Sequence, residues 1–369
     1  MKETNFKHTD IGLIPNDWEV KTIGEVAKIV GGGTPSTSVD KFWNGNIQWF
    51  TPAEITNAPK FVSNSQRTIT EAGLKKSSAR LLPKGTILLT TRATIGAAAV
   101  LLNEACTNQG FQSLIVNEDN DNNYLYYLIP FIKGEMLSRA SGSTFAEISA
   151  KKLSTIEIPL PPTIDEQKRI AEALQNIDSL IEALDEQIAK KQAIKTGAMQ
   201  QLLKGEEIEP VLMDDLVKSG DITLYRGKVI SKKDIEACPG DYPIYSSSVQ
   251  NEGLMGRYGK YMFDEEMISW SVDGGGNFFY RPKHKFSITN VSGYMRVNKE
   301  KLDYRFLAYL LQSEHAKKVF DYQTKAHPSV IRKEYFLRIP DIQRQRSIAE
   351  VLSNMDAEIQ TLQDERNKY

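Results

Sequence analysis

The chain has 369 residues, 40% of them hydrophobic and 25% charged, with a formal net charge of −1, which is the balance of a globular protein long enough for two or three domains. It holds no run of 18 apolar residues, and the opening MKETNFKH lacks an apolar core, so neither a membrane span nor a secretory signal is expected and the cytoplasm is the expected compartment. Cys106 and Cys238 stand far apart and outside CxxC spacing, which excludes a disulfide framework and a zinc site as expectations.

Taken in order, Ile14-Pro-Asn-Asp-Trp18 reads as a turn leading into residues 20–30, where Val20, Ile23, Val26, Ala27 and Val30 have helical spacing broken by Gly24. Gly31-Gly-Gly-Thr-Pro35 ends that segment. Asn44-Gly45 is a turn signal before strand-like 47–50. Strands are expected over 86–91, 97–102 and 111–116, with a turn at 92–96, and a half-buried helix over 124–131. Ile158-Pro-Leu-Pro-Pro162 predicts a stiff extended linker, because the residue before each proline avoids the helical region.

A long helix follows, with Thr163 or Asp165 as its cap. Ile170, Leu174, Ile177, Ile181, Leu184 and Ile188 step alternately by four and three, which is a coiled-coil seam. Helical composition continues to Leu203, and Gly205 is a stop. About 40 residues at 1.5 Å rise make a rod of about 60 Å.

The sequence of this helix returns at a constant offset of 178: Gln167, Ile170, Ala171, Glu172, Leu174, Asn176 and Asp178 recur as Gln345, Ile348, Ala349, Glu350, Leu352, Asn354 and Asp356. The chain is therefore an internal duplication. In the second copy Ile348, Leu352, Met355, Ile359 and Leu362 continue the seam, and Tyr369 stands opposite Lys191. The expected fold is α+β: two mixed α/β globules separated by two long antiparallel coiled-coil helices, with a pseudo-twofold repeat. Its divisions are 1–157, 158–205, 206–338 and 339–369. The alternative is that each helix packs only on its own globule, since core helices imitate heptads over short stretches.

Charge is segregated along the chain: 224–338 holds 19 Lys+Arg against 13 Asp+Glu, whereas 151–223 holds 9 against 14. A basic second globule suggests an anionic partner, although solvated surface charge gives the same count. Twofold-related globules at a fixed separation match the way dimeric readers address two DNA half-sites about 34 Å per duplex turn apart. Because the two globules differ in sequence, the expected target is split and asymmetric, with an unread spacer.

At this point the residues resemble the specificity subunit of type I restriction–modification systems. The likeness covers nearly the whole chain through Ile14-Pro-Asn-Asp-Trp18, Gly32-Gly-Thr-Pro35 with Trp43-Asn-Gly45 and 49–52, Arg92-Ala-Thr-Ile-Gly96, Thr107-Asn-Gln-Gly-Phe111, and above all the duplicated proline linker and helix. The resemblance implies two target-recognition domains on double-stranded DNA and helices that act as spacer and as dock for two methyltransferase subunits. Restriction and translocase subunits join the full complex, and the chain itself does no chemistry and needs no cofactor. The family's closing helix runs on to a counterpart of 192–205, where this chain stops.

Base reading in the major groove calls for amide, hydroxyl and guanidinium groups on turns. The candidates are Thr34, Lys41, Asn44, Gln48, Thr51, Arg92 and Thr94 in the first globule, and Ser246, Ser247, Gln250, Asn251, Arg257, Lys260, Arg281, Lys283 and His284 in the second. Gly, Asn and Ser also simply build turns. Arg281-Pro-Lys-His-Lys285 is expected to meet phosphate, and Trp43 and Trp49 to belong to the core. Gly31-Gly-Gly33 and Gly274-Gly-Gly276 lack the spacing of a nucleotide cradle. The four histidines have no metal-ligand spacing, no nucleophile or paired-carboxylate pattern can be recognised, and Leu160-Pro-Pro-Thr163 does not match a methyltransferase element. Off the seam, Gln167, Glu172, Asn176 and Asp178 recur as Gln345, Glu350, Asn354 and Asp356, and together with Glu166 they are expected to form a partner-docking face. The rival readings are a scaffold with two protein-binding ends, and an enzyme of unfamiliar motif.

Overall fold

In the computed structural model, residues 20–30 do not form the helix that their spacing predicts; they fold as strand, one helical turn and strand. Thr22 and Glu25 close a capping box around that turn, but beyond it both flanks find ladder partners, and pairing overrides a weak helical pattern broken by glycine. The structure describes residues 5–92, 94–142, 146–248, 250–273, 275–318 and 326–369. Ala93 of the 92–96 turn and Gly274 of the second glycine run lie outside them. Two compact units result, Met1–Leu180 and Ile181–Tyr369.

The first unit contains β1 (Glu19–Thr22), α1 (Ile23–Val26), β2 (Ala27–Gly31), β3 (Trp43–Phe50), β4 (Phe61–Val62), β5 (Arg67–Ile69), β6 (Ile87–Leu89), β7 (Ala98–Leu101), β8 (Ala105–Thr107), β9 (Gln112–Val116), α2 (Asn122–Arg139), β10 (Glu157–Leu160) and the start of α3 (Ile164–Leu202). A five-stranded sheet has the order β2-β9-β6-β7-β4 and a three-stranded one the order β8-β3-β5. The expected proline linker is β10, paired antiparallel with β1, so Ile158 and Pro159 are buried ladder residues rather than free chain. Between the sheets and α2 lies a core that includes Ile87, Leu114, Leu125, Ile129 and Ile158. Trp43 and Trp49 are buried with Ile69 and Cys106 in a smaller cluster, in keeping with their expected place in the core.

Thr163, not Asp165, caps α3: its hydroxyl accepts from Glu166 N at 3.2 Å. The helix runs 39 residues, and the chain turns away at Gly205, whose φ of +47° suits glycine.

In the second unit β11 (Ile222–Arg226), β12 (Tyr242–Tyr245), β13 (Leu254–Tyr258), β14 (Phe263–Ser271), β15 (Phe278–Ile288) and β16 (Ser292–Val297) make one six-stranded sheet, order β11-β16-β14-β15-β12-β13. Helices α4 (Tyr304–His315) and α5 (Ile342–Arg366) complete it. One core joins Trp270, Phe278, Phe306 and Leu307 to Ile348, Ala349 and Leu352 of α5 and to Leu203. The part of α3 within this unit runs antiparallel to α5: Asp185 pairs with Arg366 at 3.1 Å, Lys191 with Glu358 at 2.5 Å, and Lys195 with Asp356.

The seam is not used uniformly. Ile348, Leu352, Ile359 and Leu184 are buried, and Met355 packs on the second core. Ile181, Ile188 and Leu362 are half-buried. Ile170 packs on the first core, whereas Leu174 and Ile177 are each 38% exposed.

Candidate nucleic-acid interface and docking face

Among the first unit's candidates, Lys41, Asn44, Arg92 and Thr94 are exposed. Asn44 has a left-handed φ of +59°, which turns the chain ahead of the straight part of β3. Arg92 meets Glu147 at 3.8 Å, a solvated pair. The others work inside the fold. Gln48 Oε1 accepts from Ser65 N and Oγ at 2.7 and 2.9 Å, and Thr51 and Glu54 cap a short helix. Thr34 donates to Gln109 Oε1 at 2.6 Å. A Cβ on Gly32 would fall 2.0 Å from the Asn108 carbonyl and one on Gly33 2.3 Å from Ser78 Oγ. That glycine run is thus a place where backbones touch.

Two cations escaped the sequence reading. Arg67 is exposed and lays its guanidinium 3.6 Å over the Trp43 ring, beside Asn44. Lys60 stands 4.3 Å over the Tyr127 ring and donates to Gln175 Oε1 at 3.1 Å; burial lowers its pKa. The signal for Arg67 is the Trp49–Arg67 register of β3 and β5, which no linear motif carries. No hydrogen bond or ion pair among the described residues joins Arg92 and Thr94 to Lys41 and Asn44.

In the second unit Gln250, Asn251, Arg257, Lys260 and Lys283 are exposed. Gln250 and Asn251 lie in the loop joining β12 to β13, which Ser246 N closes on the Gly253 carbonyl at 2.8 Å. Ser246 Oγ accepts from Thr289 at 3.0 Å and the Ser247 carbonyl from Ser271 at 2.8 Å, so these serines brace the loop. Arg257 donates to the Asp241 carbonyl at 2.8 Å. Two members of the expected phosphate cluster turn inward. His284 stacks on Phe286 with its ring 4.5 Å away and meets Tyr245 Oη at 3.1 Å. Arg281 is 2% exposed, and burial pushes its pKa down to about 10, so it remains charged at neutral pH. A desolvated guanidinium bonded within the sheet is not available to a phosphate.

The expected docking face divides too. Gln167 and Gln345 are 2% and 0% exposed and leave that face. Gln345 Oε1 accepts from Asp303 N at 2.9 Å while Nε2 donates to the carbonyls of Lys301 and Pro340 at 2.9 and 2.8 Å. Gln167 does the same with Asp121 N at 2.8 Å and the Pro161 carbonyl at 3.3 Å. Each glutamine clasps its helix to the start of its unit's other long helix, capped by that same aspartate. Asp178 and Asp356 accept from Tyr127 and Tyr309, both at 2.6 Å. Glu166 accepts from the Trp18 indole at 3.1 Å. Glu172, Asn176, Glu350 and Asn354 remain exposed, and Lys168 and Arg346 precede them by one turn. The spacing of four places Lys168-Glu172-Asn176 and Arg346-Glu350-Asn354 on one face of each helix.

Among the described residues there is no group of three His, Cys, Asp or Glu side chains that could hold a metal ion, and no helix long and apolar enough to cross a membrane.

A family model described as the type I restriction modification DNA specificity domain matches residues 15–194 and again 207–368. The chain is 45% identical over 183 residues to the MjaIX specificity subunit of Methanocaldococcus jannaschii, covering 49% of this chain and 42% of that protein. It is 34% identical over 180 residues to the EcoR124I/EcoR124II specificity subunit of Escherichia coli, covering 47% and 44%. These matches span less than half the length of either relative. The MjaVIII specificity subunit of M. jannaschii matches the whole chain and 92% of its own length at 25% identity. A crystal structure of a type I restriction–modification S subunit from M. genitalium shares the fold with a TM-score of 0.64 at 16% identity, covering 100% of this chain and 94% of that one.

Proposed function

The chain belongs to the type I restriction–modification DNA specificity family, both halves of it, and from that premise we propose that it is the non-catalytic recognition subunit of a cytoplasmic complex, reading a split, asymmetric DNA sequence. Residues 1–157 and 206–338 each read one half, and 158–205 and 339–369 serve as spacer and dock. In the first unit the reading set is Lys41, Asn44, Arg67, Arg92 and Thr94; in the second it is Gln250 and Asn251 of the loop between β12 and β13, with Arg257, Lys260 and Lys283. Amides and guanidinium groups supply base contacts, and the exposed lysines supply salt-sensitive affinity for phosphate.

The observation that carries this reading is the paired clasp. The same glutamine, the same capping aspartate and the same tyrosine–aspartate bond fix a helix in each unit, while the loops that carry the candidate reading residues differ in sequence and in the strands they join. A shared mount under two different surfaces suits two copies of one partner and two different half-sites. The partner is a methyltransferase subunit, and its docking stripe is Lys168-Glu172-Asn176 and Arg346-Glu350-Asn354. Restriction and translocase subunits complete the assembly.

The test is to purify the chain with its methyltransferase and map methylated bases in genomic DNA. One split motif is expected, lost when this chain is deleted; methylation that persists without it overturns the reading. Removing one heptad from α3 takes out about 10 Å of helix and is expected to change the spacer length and not the bases read.

A further inference from the structure

We propose that Arg281 is a positioning residue for base reading in the second unit, holding residues 250–253 of the loop between β12 and β13 from beneath in a conformation that they do not adopt by themselves. This rests on the reading above, that the unit contacts DNA through this loop.

Asn251 and Glu252 have φ of +47° and +51°, and Gly253 has +82°. Three successive left-handed residues make a strained path, and Glu252 has neither the freedom of glycine nor the short side chain of asparagine that ease it. Such strain persists only where the surroundings over-determine it. Arg281 supplies the constraint. Its Nη2 donates to the Glu252 carbonyl, its Nη1 lies 3.5 Å from the Glu252 carboxylate, and its Nε donates to Ser269 Oγ on β14 at 2.9 Å. The guanidinium plane lies 3.7 Å from the Tyr245 ring at the end of β12. One planar fork therefore ties β14, β15 and β12 to the residue where the loop is most strained.

The burial makes a purely structural role a poor account of this residue. A guanidinium removed from water is costly unless fully compensated, and an apolar side chain of similar size serves packing better. Here the compensation comes from the Ser269 hydroxyl and the Tyr245 ring below, and above from a main-chain carbonyl and a carboxylate whose side chain is 77% exposed. What the charge secures is the geometry of the loop, with Gln250 and Asn251 carried outward on it. Gly253 has no alternative either: a Cβ there would lie 2.7 Å from the Ser246 carbonyl.

The experiment uses the full chain in complex with its methyltransferase, and competition binding against duplexes carrying single-base changes in each half of the mapped motif. In Arg281→Met, discrimination in the half read by the second unit is expected to fall about ten-fold or more, with the other half within about two-fold. Glu252→Gly added to Arg281→Met relieves the strain without the clamp and is expected to restore about three-fold of that loss, a rescue that a simple packing defect does not give. If Arg281→Met does not fold, Gly253→Ala, whose Cβ would lie 2.7 Å from the Ser246 carbonyl and 3.7 Å from Arg281 Nη2, disturbs the loop while keeping the buried charge, and is expected to give the same one-sided loss. The proposal is overturned if the folded variant keeps second-half discrimination within about two-fold, or if both halves weaken equally. A wild-type complex that marks no split motif overturns the functional reading and this proposal with it; a normal wild type with an indifferent Arg281→Met overturns this proposal alone.

Discussion

Leu174 and Leu352 hold the same place in the two copies of the repeated helix, yet Leu174 is 38% exposed and Leu352 fully buried in the second unit's core. Four residues further along, the tyrosine–aspartate bond is the same in both, but the cation above the tyrosine ring differs in origin: Lys60 from a loop in the first unit, Lys195 from α3 in the second. Duplication preserved the points where helix meets globule and let the surroundings drift. The second unit draws Ala198, Met199 and Leu202 of α3, and Leu203 just after it, against its core, whereas the first unit's main core takes only Ile170 and Ala171 from its copy. Repetition of a residue therefore does not imply repetition of its burial.

The largest test of that difference is Leu→Ala at both places. Leu352→Ala leaves a cavity in a closed core and is expected to cost about 3 kcal/mol, while Leu174→Ala, already wetted, is expected to cost less than about 1 kcal/mol. Denaturant titration of the full chain measures both, and equal losses would erase the contrast.

Next in size comes the clasp, where the units are expected to agree. Gln345→Ala strands one buried amide and two carbonyls, and Gln167→Ala one amide, one carbonyl with a longer bond and the part-buried Asn120 Oδ1 at 3.4 Å. At about 1 kcal/mol or more for each stranded group, both variants lose roughly 2–3 kcal/mol, Gln345→Ala the more. Hydrogen exchange at the Asp121 and Asp303 amides locates the damage. Protection retained at either amide would mean that the clasp is not what closes that helix start.

How far this was legible follows from what a linear pattern encodes. The duplication, the strand-rich first globule, α3 and its cap region, and Gly205 as its stop could all be read, because each is a local signal. The helical spacing of 20–30 misleads because ladder partners at 112–116 and 157–160 outweigh one turn of helix. Gln167 and Gln345 were recognised as special by their recurrence, but recurrence cannot tell a surface dock from a buried bond. Arg281 sat in a run of cations that suggests phosphate, and only the pairing of β15 with β14 turns it inward. Arg67 was invisible for the converse reason, since its ring partner lies 24 positions away across a register.

A smaller effect appears at alkaline pH. Burial first, and the Asp356 carboxylate second, raise the pKa of the Tyr309 phenol. A group whose folded pKa lies above its unfolded value adds stability that is complete below the unfolded pKa, about 10 for tyrosine, and is lost as pH rises beyond it. Tyr309→Phe is expected to lower Tm slightly at pH 7 and to flatten part of the decline above pH 10. An unchanged alkaline slope would remove Tyr309 from the list of groups responsible, leaving the other phenols that burial raises, Tyr124 and Tyr335 together with Tyr126, Tyr245, Tyr280, Tyr294 and Tyr304.

The smallest contrast lies in the two lysines. Lys195 meets Asp356 with its own side chain only 21% exposed, and its Nζ stands 5.3 Å from the Tyr309 ring. It joins α3 to α5 through charge and ring together, so Lys195→Met is expected to cost about 1 kcal/mol. Lys60 has three aromatic rings around it but no ion pair among the described contacts, and its desolvation is strong enough to lower its pKa. Removing a charge that burial already disfavours, while keeping the aliphatic stem against the rings, is expected to cost less than about 0.5 kcal/mol or to stabilise slightly. Raising the salt concentration separates them further: the Lys195 difference should shrink as Asp356 is screened, and the Lys60 difference should change less, because burial outweighs the pull of Asp178 and Asp121 on it. If both variants lose the same stability with the same salt dependence, the two cations are equivalent replacements of one ancestral contact, and the divergence inferred around the clasp is confined to the leucines.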